Sequence, residues 1–143
     1  MVDDRLRDGR RIAELLASEL DGLGDALARV AVTDADRTVE PTPDGAHAYR
    51  VTRRGDAGTG SNGETGDGDD RDLAVVFVQP DRARVEFTVV PDVAAERGKR
   101  EGLRVRPKAS RPPRTLVFVE DGAEVKRAVA VFEAVVAALD DEG

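Results

Sequence analysis

Near the C-terminus, Val125, Ala128, Val129, Phe132, Val135, Val136 and Leu139 recur at helical spacing, while Lys126, Arg127 and Glu133 fall off that stripe. A helix with so sustained an apolar face is stable only when that face is covered. Its start reads as Asp121-Gly122-Ala123-Glu124, which has the spacing of a capping box with Asp121 as the cap. Ile12, Leu15, Leu16, Leu20, Leu23 and Leu27 form a second stripe. This one belongs to a helix predicted to begin near Asp3 or Asp4 and to fray or end at Gly22 and Gly24. Two amphipathic helices at opposite ends of the chain demand a common apolar surface, and the residues between them supply one.

Val30 and Val32 alternate with Ala31 and Thr33 as a short strand, and His47, Tyr49 and Val51 alternate again after a turn running from Pro41 to Gly45. Leu73 to Val78 is a continuous apolar run, too short for a helix, followed by Gln79-Pro80-Asp81-Arg82, a type I turn with Pro at its second position. Val85, Phe87 and Val89 then alternate with Arg84, Glu86 and Thr88. The pattern predicts a hairpin whose first strand is central and whose second has one solvated face. Pro91-Asp92 opens a short helix through Arg100, which Gly102 terminates in a left-handed conformation, and Leu116 to Val119 is a further buried strand. At 143 residues the chain suits one core. The expected architecture is a single α+β domain over residues 1–143, a largely antiparallel sheet covered on one face by the N- and C-terminal amphipathic helices.

Residues 55–72 hold six glycines and six acids against one Arg, with no apolar residue larger than Ala57. Strand-like sequence resumes on both sides, so the segment is expected to be a disordered acidic Gly-rich loop within the domain. Gly58-Thr59-Gly60-Ser61-Asn62-Gly63 has the glycine spacing of a dinucleotide fingerprint, yet no apolar strand enters it, no helix leaves it, and the nearby acids repel phosphate. Ser61 is not a nucleophile elbow because position 59 is Thr. Asp67, Asp69 and Asp70 do not match a calcium loop.

Charge gives the strongest functional signal. From Arg97 to Arg114 the chain carries Arg97, Lys99, Arg100, Arg104, Arg106, Lys108, Arg111 and Arg114 against one Glu, a local +7 in a protein whose total is −7, so the remainder sums to −14. Arginine forks bind carboxylates and phosphates bidentately, and the interleaved Pro107, Pro112 and Pro113 stiffen the carrier, lowering the ordering cost of binding. The segment is therefore the expected contact surface of a non-enzymatic binding or regulatory protein, its partner a protein or another anionic molecule. The bland alternative is a loop neutralised by the protein's own acids.

The second functional reading is nucleic acid. Against it, no aromatic residue lies between Phe87 and Phe118 to stack on unpaired bases. Salt counts too. Eighteen Asp against eleven Glu, nineteen Arg against three Lys, one isoleucine and no Cys or Trp resemble the proteins of salt-loving archaea. Raising salt from about 0.2 M to about 3 M costs about four decades of affinity at roughly four phosphate contacts. Matched Arg pairs at a preformed interface depend less on the screened field.

An enzyme using His47 or paired carboxylates is the third reading. His47 is the only histidine, and with no Cys and no motif-placed Ser it has no evident nucleophile to activate, so it is expected to be a partly buried strand residue. Without cysteine there is no thiolate zinc site. Neither metal nor cofactor is expected, and no catalytic residue is assigned. The N-terminal residues lack an apolar signal region and the longest near-apolar stretch, from Ala128 to Leu139, is too short to span a bilayer, so the expected setting is the cytoplasm.

The stretch from Asp4 to Leu20, Gly102-Leu103-Arg104-Val105-Arg106-Pro107-Lys108, and the tail from Pro113 through Val119 to Ala128 resemble an uncharacterised family of small haloarchaeal proteins, a domain of unknown function. That resemblance implies a source and a single domain, and brings no activity with it. The covering helices also resemble those of frataxin-like α+β domains, whose first helix carries an acidic ridge that Asp3, Asp4, Asp8, Glu14 and Glu19 would mimic.

Overall fold

The computed structural model describes residues 8–22, 29–54 and 71–142. Three helices, α1 (Gly9–Gly22), α2 (Pro91–Arg100) and α3 (Glu124–Glu142), accompany six strands. The strands are β1 (Val30–Thr33), β2 (Ala46–Arg53), β3 (Arg71–Gln79), β4 (Arg82–Phe87), β5 (Arg104–Lys108) and β6 (Arg114–Val119). They form one sheet in the order β1-β2-β3-β4-β6-β5, every pair antiparallel. The domain is α+β, as the two terminal stripes require.

Register sorts the side chains into two faces. Tyr49, Val76, Val85, Val117 and Val105 line up across five strands, and all but half-buried Val105 are buried. All three helices pack on this side. Phe87 of β4 meets Phe132 of α3 with ring centroids 4.8 Å apart, the Tyr49 hydroxyl donates to the Ala13 carbonyl of α1 at 2.8 Å, and a Cβ placed on Gly98 of α2 would come within 2.7 Å of Val105 Cγ2. Every member of the C-terminal stripe is buried, and Lys126, Arg127 and Glu133 are exposed.

Several boundaries follow local chemistry. Pro80-Asp81 joins β3 to β4, α2 spans Pro91 to Arg100, and Gly102 closes it at φ 79°. Asp121 caps α3 by accepting from the Glu124 amide at 3.0 Å, while the Glu124 carboxylate reaches back to the Glu120 amide at 2.8 Å, one residue before the cap. Burial and the carboxylates of Asp121 and Glu120 push the Glu124 carboxyl up, partly opposed by that amide and by Arg127.

Other features depart from the sequence pattern. Within the described residues α1 begins after Asp8, which caps it through the Arg11 amide at 3.1 Å, whereas Asp3, Asp4, Leu23 and Leu27 lie outside them. Gly9 is buried against the β3–β4 turn, its amide donating to the Pro80 carbonyl at 3.1 Å. Periodicity does not announce β5, whose single apolar alternation at Val105 is interrupted by Pro107. The strand is at the sheet edge, where a missing backbone donor is tolerated. The acidic loop and its glycine motif lie outside the described residues from 55 to 70, while Arg71 and Asp72 belong to β3 rather than to the loop.

Candidate functional site

With all three helices on one side, the opposite face of the sheet carries the polar half of each alternation. His47, Phe77, Arg84, Phe118 and Arg104 form one row across β2, β3, β4, β6 and β5, and Arg50, Val75, Glu86, Leu116 and Arg106 form the next. Arg82, Lys108 and Arg114 flank these rows on β4, β5 and β6. Among the described residues no helix covers this face.

Glu86 is the centre of it. It is only 2% exposed, although the sequence pattern gives it a solvated face. In the fourth of six strands it is surrounded laterally, and Arg84, Arg114 and Lys108 close over it at 3.0, 3.0 and 3.4 Å. A buried carboxylate is tolerable only when paired in this way. Arg84 also donates to the Asp44 carbonyl at 2.9 Å and lies over the Phe77 ring at 4.8 Å. A second carboxylate, Glu120, receives Arg104 at 3.1 Å and Arg82 at 3.2 Å, and Arg82 lies 5.9 Å from the Phe118 ring centroid. A cleft of about 380 Å³ is lined by Arg82, Arg84, Arg104, Arg106, Leu116 and Phe118, with Gln79, Pro43 and Asp44 at its side, and Glu120 lies in an adjoining hollow with Asp81, Arg82 and Asp121.

The basic segment does not form one surface. Gly98 lies against Val105 and Val117 on the helix-covered face, so Arg97, Lys99 and Arg100 ride on that side, with Arg97 paired to Glu101 at 2.9 Å and Arg100 to Glu96 at 3.6 Å. Arg104, Arg106, Lys108 and Arg114 alternate onto the open face, and Arg111 lies in the β5–β6 turn, before a cis peptide to Pro112. Five of the eight thus have carboxylate partners. Among the described residues, Lys99, Arg106 and Arg111 make no ion pair.

Arg50, Arg82, Arg84, Glu86 and Glu120 also belong to this surface, although the basic segment in the sequence does not include them. Their signal was present in the period-two run Arg82-x-Arg84-x-Glu86, but only strand order brings that run beside β6 and β5.

The model of a family of unknown function, DUF7993, matches residues 1–143, the whole chain. The chain belongs to that family. Neither the curated proteins nor the solved structures give a match. The DUF7993 description states no activity, so chemistry must come from the side chains themselves.

His47, the third reading's candidate, is exposed at the start of β2, not partly buried. A register shift between His47 and Tyr49 breaks the alternation and turns the imidazole to the open face, edge-on to Phe77 at 6.1 Å. Among the described residues it makes no side-chain hydrogen bond, and no cluster of three or more His, Asp or Glu could hold a metal ion. No described helix is long and apolar enough to cross a membrane.

A second cleft of this DUF7993 domain, about 400 Å³, runs between α1 and the residues following β1, lined by Arg10, Glu14, Val32, Asp36, Arg37 and Tyr49 among others. Arg10, Glu14, Asp36 and Tyr49 among its polar groups already have partners. Arg10 donates to the Arg37 carbonyl at 2.7 Å and pairs with Glu14 at 3.8 Å, so Glu14, one member of the expected acidic ridge, is engaged within its own helix. The Thr38 amide and hydroxyl, both at 2.9 Å, hold the exposed Asp36 carboxyl below its usual range. Tyr49 is buried and its phenol pushed up by desolvation, with Asp21 adding to the shift. These contacts join α1 to the sheet edge and supply no acid–base pair.

Proposed function

We propose that this protein is a non-enzymatic binding protein that contacts an anionic partner through the open face of its sheet, centred on Arg104, Arg106, Lys108 and Arg114. The observation that carries the reading is the open face itself: arginines alternate with half-buried Val75, Phe77 and Leu116, and Arg106 has no ion-pair partner among the described residues. Apolar area flanked by preorganised guanidiniums suits a protein partner, giving desolvation at the centre and bidentate bonds at the rim. Arg97, Lys99 and Arg100 are secondary in this reading because they ride on the helical side and two of them are satisfied by their own helix.

Nucleic acid is the second reading, favoured by Phe77 and Phe118 on the same face as the arginines. The half-buried Phe77 ring offers a stacking surface that the basic segment lacks in sequence, while Phe118 is buried. Against it, Arg84 and Arg82 already stand over those rings. We also propose a salt-rich cytoplasm as the setting and a haloarchaeal source, supported by the excess of Asp over Glu and Arg over Lys and by a net charge of −7.

An amide-resolved NMR titration with an acidic peptide and, separately, with poly-uridylate tests the reading. Shifts should cluster on β4, β6 and β5. Shifts confined to α2, or none with either probe, would reject the open face as the contact surface.

A further inference from the structure

Resting on that reading, one feature of the open face identifies the partner's chemistry. Three of the cleft's four guanidiniums are engaged, and what they hold is carboxylate: Arg84 holds Glu86, Arg104 holds Glu120, and Arg82 holds both Glu120 and Asp81. Arg82 Nη1 and Arg104 Nε both approach the same oxygen of Glu120, at 3.2 and 3.1 Å, from strands β4 and β5 on either side of β6. Glu120 is 32% exposed on the side chain, against 2% for Glu86. The two carboxylates therefore differ in kind. Glu86 is fixed beneath three cations, whereas Glu120 is reachable by water. Its backbone amide stays bound to Glu124 when the side chain leaves. Arg106 lines the cleft together with Arg82 and Arg104 and has no ion-pair partner among the described residues.

We propose that the cleft takes a carboxylate side chain of an acidic peptide segment, which displaces Glu120 from Arg82 and Arg104 and adds a bond from Arg106, so that Glu120 is the site's built-in competitor. Charge complementarity selects carboxylate over a phosphodiester chain. A lone carboxylate needs only the Glu120 pairs to open, whereas a phosphodiester chain brings a charge at every nucleotide and meets further cations held by the buried Glu86. The Phe77 and Phe118 rings, which bases would require, have guanidiniums over them. Leu116 and Phe118 on the cleft wall suit an apolar residue next to the incoming acid.

The test is a fluorescence anisotropy titration of a labelled decapeptide alternating Glu and Leu, at fixed salt, against wild type, Glu120→Gln, Arg106→Gln and Glu133→Gln. Glu133 is exposed on α3, on the helical side, and its substitution changes net charge equally. Removing the competitor from two half-exposed pairs should tighten binding by about fivefold to tenfold. Arg106→Gln should weaken it by about fivefold, and Glu133→Gln should leave it unchanged. Peptide that binds wild type but is not tightened by Glu120→Gln, or is tightened as much by Glu133→Gln, overturns the displacement while leaving the open face as a binding surface. Peptide that binds no variant overturns both. Poly-uridylate that binds more tightly than the peptide and is displaced by it assigns the cleft to nucleic acid, and the proposal falls.

Discussion

Replacing Glu86 by Gln keeps the shape of the side chain and removes its charge, which makes it the sharpest probe of the open face. Glu86 is 2% exposed and accepts from Arg84, Arg114 and Lys108. The contributions are unequal. Lys108 is 48% exposed and at 3.4 Å, so it rehydrates at little cost. Arg114 is 35% exposed at 3.0 Å, and Arg84 only 16% exposed at 3.0 Å, so these two lose a charged acceptor with limited access to water. A hydrogen bond to a charged group is worth about 1.5–3 kcal/mol, of which an amide oxygen recovers roughly half. Summing two such bonds and neglecting Lys108 gives a loss of about 1.5–3 kcal/mol, or about 5–9 °C in Tm for a domain of this size. Thermal and urea unfolding followed by circular dichroism measure it, and a double-mutant cycle with Arg114→Gln should return a coupling near 1 kcal/mol or more. A Glu86→Gln midpoint within about 2 °C of wild type would refute the reasoning: the carboxylate would then be hydrated and the cations free to serve a partner at no structural cost.

A Cβ on Gly9 would run into the Gln79 and Arg82 carbonyl oxygens, so Gly9→Ala should cost about 2 kcal/mol or more, and an unchanged urea midpoint would show that α1 is not seated on the β3–β4 turn. Tyr49→Phe removes the donor to the Ala13 carbonyl and should cost about 1 kcal/mol, read as faster amide exchange in α1 and a lower Tm. Because the Glu124 carboxyl is pushed above its ordinary 4.5, the folded state holds that proton more tightly, and stability from this group declines as pH rises from below 4.5 through the raised value. Glu124→Gln should abolish that slope and match or exceed wild type at pH 7, and a variant less stable than wild type at every pH would show that the charged cap outweighs the repulsion.

What the sequence by itself determined is whatever depends on neighbours along the chain. The stripe from Val125 to Leu139 names a helix and its buried face, Gly102 names the end of α2, Pro80-Asp81 names the hairpin, and the alternation from Arg84 to Phe87 separates the two faces of β4. These suffice for an α+β domain with helices on one side, since an apolar stripe and an apolar sheet face must cover each other. Only the tertiary structure decided which strands are adjacent. Periodicity carries no information about lateral order, so nothing local says that β6 inserts between β4 and β5, or that Arg114 and Lys108 therefore arrive over Glu86, 28 and 22 residues away. The same ordering split the basic segment, because α2 crosses one face of the sheet while β5 presents alternate residues to the other. A run of like charges in sequence is a statement about composition. Whether its members share a surface is decided by the chain turning between Arg100 and Arg104, and by which carboxylates the fold brings to meet them.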